Sequence, residues 1–271
     1  MPIVYSCAAS HAPGIRAWTE ACPPEQRARL FAGFEEIAAG LAAAKPDVVL
    51  LLTSEHWANF FEHVGAFCVG RGASFEGPIE PWLRVEKTTF AGDPAFAERL
   101  LNHCYAQGFE PSFSHEMKLD HGSIVPLSFL NKDAGWRLVP LMFNTLAPPR
   151  AQPGRCLALG RALRAMLDAA PERIAIIATG GMSHDPGEIG HGRIDVDFDA
   201  AFLKRLETAR LDELAHYTDA DLAAAGAGTL ELLAWICLAG VMGERGARVI
   251  AYEPVTQWAT GIGLLTYDSA A

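Results

Sequence analysis

The chain has no tract rich in lysine or arginine. Its 22 basic side chains stand against 32 acidic ones, a formal net charge of −10, whereas a grip on nucleic acid or anionic lipid needs a basic face that displaces counterions. Both partners are excluded. Long apolar runs are missing too: the most apolar stretch, 230–242, is interrupted by Glu231 and falls short of the roughly 20 residues of a membrane span. No membrane helix is expected. The six cysteines, Cys7, Cys22, Cys68, Cys104, Cys156 and Cys237, form no C-x-x-C pair, so they read as buried thiols in a reducing compartment. The N-terminal Met1-Pro2-Ile3-Val4-Tyr5-Ser6-Cys7 has no basic residue and reads as a first strand instead of a signal peptide. The expected location is the cytoplasm. There is also no internal repeat, no low-complexity segment and no linker long enough to divide the chain, although 146–153 with its three prolines reads as a stiff exposed loop.

What is present is a composition suited to one compact domain. Half of the 271 residues are apolar and only 20% are charged, and α/β domains often reach about 250 residues as single units. Val/Ile-rich runs at 3–8, 48–52, 137–143 and 174–178 suit strands buried on both faces. Between them lie stretches of helical periodicity at 25–44, 94–107 and 155–170. Strand and helix alternate, which makes the class α/β with a central, mostly parallel sheet. Beyond Asp195 the pattern turns helical, at 198–207, 211–216, 219–225 and 229–242, before late strands at 248–252 and 261–267. This stretch reads as a C-terminal helical insertion covering one edge, within a single domain over 1–271.

Three of the nine histidines follow predicted strand ends within a few residues: His11, His56 and His184. In open α/β sheets ligands bind outside the carboxyl ends of the strands, where side chains from separate strands converge. A fourth, His121, opens a predicted helix, and a helix N-terminus favours its neutral form. A lone loop histidine is usually a surface or capping residue; four at equivalent points of one pattern form a candidate site. His63, His103, His191 and His216 read as surface residues, and His115 leans the same way. Glu231 stands inside the most apolar helix. Either it is buried, where it needs a partner or a metal, or it faces solvent in the first turn and offsets the macrodipole. Two neutral imidazoles and one carboxylate can hold an octahedral Fe(II) with three adjacent positions open, which would explain His11, His56 and Glu231 together. His121 and His184 would then remain as an acid/base pair, since imidazole titrates near pH ~6.5.

These residues resemble the class III extradiol ring-cleavage dioxygenases, of the protocatechuate 4,5-dioxygenase β-subunit and 2,3-dihydroxyphenylpropionate 1,2-dioxygenase type. The resemblance spans nearly the whole chain. It rests on Ser10-His11-Ala12-Pro13, Glu55-His56-Trp57 with Phe60-Phe61, Asp120-His121-Gly122 with Pro126-Leu127, Gly180-Gly181-Met182-Ser183-His184, and Glu231 four residues before Trp235. It implies that His11, His56 and Glu231 bind Fe(II), that His184 is the base and His121 the second catalytic histidine, and that O₂ opens the ring of a catechol such as protocatechuate, gallate or a substituted catechol. Glu55 departs from the Asp that many members carry beside the second ligand. The insertion that the dihydroxyphenylpropionate enzymes carry after the His184 region is missing, which places the chain closer to the β-subunit type. Trp57, Phe60 and Phe61 can wall the ring or belong to the core; Trp258 and Thr260 are further substrate-contact candidates. A small α subunit or a homo-oligomeric partner is expected to close the site. Two other classes stay open from the residues alone: a zinc-dependent hydrolase on the same His/His/Glu set, and a non-catalytic binding or adaptor protein of the same fold.

Overall fold

The computed structural model describes residues 2–130, 135–187 and 190–267. Its strands are β1 (Ile3–Ala9), β2 (Val48–Ser54), β3 (Phe67–Gly70), β4 (Ser74–Gly77), β5 (Thr88–Ala91), β6 (Ser112–Ser114), β7 (Arg137–Phe143), β8 (Ile174–Thr179), β9 (Arg248–Val255) and β10 (Thr260–Tyr267). Eight of them form one sheet in the order β6-β3-β7-β2-β8-β1-β10-β9, and β4 and β5 form a separate antiparallel pair. The centre, β7-β2-β8-β1, is parallel. β10 joins antiparallel to β1, and β3 antiparallel to β7.

All seven residues of β2 are buried. Alternate side chains point to opposite faces, so Leu50 and Leu52 enter one core layer and Val49 and Leu51 the other. Each layer is closed by helices. On one face lies α2 (Pro24–Ala44), started by a proline at its first turn and buried along Leu30, Phe34, Ile37 and Leu41, one helical stripe. On the other lie α3 (Pro94–Ala106), α5 (Pro153–Ala169) and α9 (Leu233–Met242). The remaining helices are short: α1 (Gly14–Ala17), α4 (His121–Leu127), α7 (Leu211–Ala215) and α8 (Asp219–Ala224), with α6 (Val196–Glu207) of intermediate length.

Three expectations need revision. The helical stretch after Asp195 covers an edge only in part: α6 packs on the edge strand β9, whereas every residue of α9 is buried, and a helix apolar on all sides belongs in the core, here packed on α5 against the sheet. The expected helix over 229–242 divides into a 3₁₀ segment, Ala227–Leu232, followed by α9. The loop over 146–153 is not wholly exposed, because Leu146 and Arg150 line the main cavity. Strands β3 to β6 are additions; at three or four residues each they are too short for a period to be read.

Because β2, β8 and β1 are adjacent and parallel, their carboxyl ends open side by side. The segments that leave them carry His56, His184 and His11.

Candidate metal centre and active site

His11 follows β1 by two residues and is 2% exposed. A chain of hydroxyls fixes its tautomer. Thr53 Oγ1 donates to the Ser54 carbonyl at 3.0 Å, and Thr179 Oγ1 donates to Thr53 Oγ1 at 2.8 Å. Each hydroxyl has one hydrogen, so Thr179 can only accept from His11 Nδ1, 3.2 Å away. The lone pair of His11 therefore sits on Nε2. At His56 the same result comes from Asp120, whose Oδ2 accepts from the His56 backbone N at 2.7 Å and from Nδ1 at 3.1 Å. In the neutral ring this leaves the lone pair on Nε2 as well.

Both Nε2 atoms point at one carboxylate. Glu231 Oε2 lies 2.8 Å from His11 Nε2, and Oε1 lies 3.0 Å from His56 Nε2. Glu231 is buried, which decides the two readings of it against solvent. Gly181 N donates to its Oε2 at 2.5 Å. Despite the short distance, His11 Nε2 has no hydrogen-bond partner of acceptable geometry. Two ring nitrogens converging on one carboxylate are a donor set that fits a cation; in its absence the carboxylates hold a proton on His56, whose Nε2 is hydrogen-bonded to Glu231 Oε1. Burial by itself would raise the Glu231 carboxyl, yet the His11 and His184 imidazoles outweigh it and hold the group well below the usual carboxylate range. Burial would lower His56, yet Asp120 and Glu231 lift it well above an ordinary imidazole. The ligand atoms of His11, His56 and Glu231 all lie within 4.8 Å of one another, and two imidazoles with one carboxylate fit a facial set on a divalent metal.

Two further histidines border this centre. His121 is the first residue of α4, and Glu80 Oε1 accepts from its Nδ1 at 2.7 Å and from its backbone N at 3.1 Å. Its ring stacks on His56 at 3.9 Å. Burial, then the neighbouring His56 charge, lowers its pKa, so it is neutral with Nε2 free. His184 donates from Nδ1 to the Met182 carbonyl at 2.8 Å, which sets the tautomer of the neutral ring, with Nε2 3.7 Å from Glu231 Oε1. The loop that carries it is clamped by buried Asp199, which accepts from Ser183 N and Ser183 Oγ, each at 2.8 Å, and from Tyr252 OH at 2.7 Å.

The five residues open onto a cavity of about 730 Å³. Trp258 and Thr260 line it, as do Trp18, Trp82, Arg150 and His191. Trp57, Phe60 and Phe61 do not. They border two smaller depressions beyond Glu55, and Phe61 is 69% exposed. Glu55 itself accepts from Ala58 N and Asn59 N, so it shapes the turn after His56, and Asp120 supports the ring instead. Of the histidines read as surface residues, His191 lines the cavity and His103 donates from Nε2 to the Ala162 carbonyl of α5 at 2.8 Å. The sequence reading missed Thr179, Glu80, Asp199, Trp18 and Trp82. Asp120 had a visible signal, its place beside His121; the others carry none without the fold.

The fold brings His11 and His56 from the ends of parallel strands to Glu231 in the 3₁₀ segment, a group that can hold a metal ion. Residues 5–263 match the family described as the catalytic LigB subunit of aromatic ring-opening dioxygenase, and the chain belongs to that family of extradiol ring-cleaving dioxygenases. Similar curated relatives are the 2,3-dihydroxyphenylpropionate/2,3-dihydroxicinnamic acid 1,2-dioxygenases of Rhodococcus globerulus, 24% identical with 90% of this chain and 92% of the relative covered, and of Paraburkholderia xenovorans, 26% identical with 98% and 97% covered. A solved structure of an uncharacterized protein from Escherichia coli K12 matches with a TM-score of 0.59 at 16% identity, covering 97% of this chain and 99% of that one, a likeness of fold.

Proposed function

We propose that the chain is an Fe(II)-dependent extradiol dioxygenase that opens a substituted catechol beside its two hydroxyls, with His11, His56 and Glu231 as metal ligands and His184 and His121 as the acid/base pair. The observation that supports it most is the convergence of the His11 and His56 Nε2 atoms on the buried Glu231 carboxylate, each ring oriented by a partner at Nδ1. A ferrous ion held by His11, His56 and Glu231 would supply electron transfer between the diol and O₂. The protein moves the protons. His184, whose Nδ1 donates to the Met182 carbonyl so that the neutral ring presents its lone pair at Nε2, takes the proton of a substrate hydroxyl there. His121 Nε2 faces the same space and takes or returns a proton on the other side, while the Glu80 carboxylate stabilises its charged form. Tryptophans 18, 82 and 258 exclude water from one wall, and Thr260 adds a polar contact. A second copy of the chain or a small α subunit closing the mouth, and a cytoplasmic setting, complete the reading; the six buried free thiols support the latter.

Iron-loaded protein is expected to consume O₂ with members of a panel containing catechol, protocatechuate, gallate and 2,3-dihydroxyphenylpropionate, and to give a yellow ring-fission product. No uptake with any of them overturns the reading. Metal analysis of anaerobically purified protein separates iron from zinc. His11→Ala is expected to lose iron, whereas His184→Ala keeps iron and loses turnover; equal iron loss in both would overturn the division of roles.

A further inference from the structure

The cavity is several times larger than one ring requires. About 150 Å³ is enough to hold benzene, and this space measures about 730 Å³. On one side the surplus is walled by Trp18 and Trp82, whose rings stack at 5.8 Å with a 10° interplanar angle. They keep 53% and 43% of their surface open. Trp82 lies 5.8 Å from the His121 ring, so this ledge begins at the edge of the metal seat. It is also firmly held. Trp258 Nε1 donates to the Trp18 carbonyl at 3.0 Å, and the Trp258 ring fills the space that a side chain at Gly14 would need, 2.2 Å from that Cβ position. Pro186, Ala223, Ala227 and Leu230 add apolar lining to the same cavity.

The charges in the cavity do not favour an acidic tail. Arg150 is the one lysine or arginine among its described lining residues. Its Nε already donates to Asp219 Oδ2 at 3.1 Å, and its Nη1 to the Leu146 carbonyl at 3.2 Å. Asp185 and Glu231 add carboxylates to the same lining.

Resting on the dioxygenase reading above, we propose that the substrate is a catechol carrying a second, planar aromatic group, and that Trp18 and Trp82 form the stacking subsite for that group. The diol sits at the metal seat and the second ring lies on the ledge, offset against the indoles, where stacking adds up to about tenfold in affinity beyond simple burial.

The test uses iron-loaded protein with catechol, 3-phenylcatechol, 4-phenylcatechol and a catechol bearing a carboxylate chain. One of the phenylcatechols is expected to exceed both catechol and the acidic compound about tenfold in kcat/KM, with the difference in KM. Trp18→Ala and Trp82→Ala are each expected to lower the phenylcatechol-to-catechol ratio severalfold, and Trp82→Phe to restore most of it. Anaerobically, a phenylcatechol is expected to quench tryptophan fluorescence, and Trp18→Ala to remove part of that quench. Preference for the bare or acidic catechol, or a ratio that survives both alanine substitutions, overturns the subsite and leaves the dioxygenase reading standing. Absence of O₂ uptake with every catechol overturns that reading instead, and unchanged fluorescence with the phenylcatechols then overturns the ledge as well.

Discussion

The His56 imidazole is held between two carboxylates, Asp120 through Nδ1 and Glu231 at Nε2. Asp120 is fully buried, and burial by itself would raise its carboxyl, but the partnered His56 outweighs this and brings it down to about 2. A carboxyl lowered on folding stabilises the fold above its ordinary pKa and loses that contribution as pH falls through the lowered value. His56, raised on folding, contributes below its ordinary value near ~6.5 and loses it as pH rises through the raised one. The pair is therefore strongest between about pH 4 and 6.5. In metal-free protein Asp120→Asn is expected to cost on the order of 3 kcal/mol in that window, with the penalty shrinking toward pH 2, as read by denaturant titration at several pH values. With metal present the same variant is expected to lose about 10- to 100-fold in iron affinity, measured by competition with a chelator. Space matters as much as charge at His184, whose ring lies between two glycines. A Cβ on Gly228 would fall 2.0 Å from His184 Nε2, and one on Gly181 2.6 Å from its Cε1. Gly228→Ala is expected to displace the ring, lowering kcat at least about a hundredfold while iron content stays at the wild-type level.

At the scale of elements, the site depends on how closely α9 approaches α5. A Cβ on Gly160 would stand 2.0 Å from the Cys237 carbonyl oxygen, and one on Gly240 2.3 Å from that of Leu157. The two helices thus meet backbone to backbone, and Glu231 sits in the 3₁₀ turn that leads into α9. Gly160→Val must force them apart. It is expected to cost about 3 kcal/mol or more in denaturant titration, and to weaken iron binding as Glu231 moves with its helix. The sequence made the long elements legible for a physical reason: β2, β7 and β8 bury both faces, so their apolar runs are continuous, and α2 carries a clear stripe from Leu30 to Leu41. It did not reveal β3 to β6, whose three or four residues hold too little pattern, nor the 3₁₀ turn at Glu231, since 3₁₀ and α periods cannot be told apart over six residues.

For the whole molecule, both core layers hold cysteine, and all six thiols are buried and unpaired. Burial pushes Cys104 up to about 11 and Cys7, Cys156 and Cys237 further still, so the nucleophilic thiolate is scarce. An aromatic disulfide reagent at pH 8 is expected to label none of them rapidly in the native protein and six in denaturant; fast labelling of one or more would contradict the packing described. No helix among the described residues is long and apolar enough to cross a membrane.

The sequence alone determined the α/β class and singled out the histidines and the glutamate that the fold brings together, because strand ends, glycine turns and an acid in an apolar helix are local patterns. Only the tertiary structure decided that Glu231 is buried between His11 and His56, that threonines on β2 and β8 set the tautomer of His11, and that tryptophans 18 and 82 wall the cavity while Trp57, Phe60 and Phe61 lie outside it. Those are contacts between residues as far apart in sequence as His11 and Glu231, and their geometry is set by the register of the sheet and the crossing of α5 with α9, which no local pattern encodes.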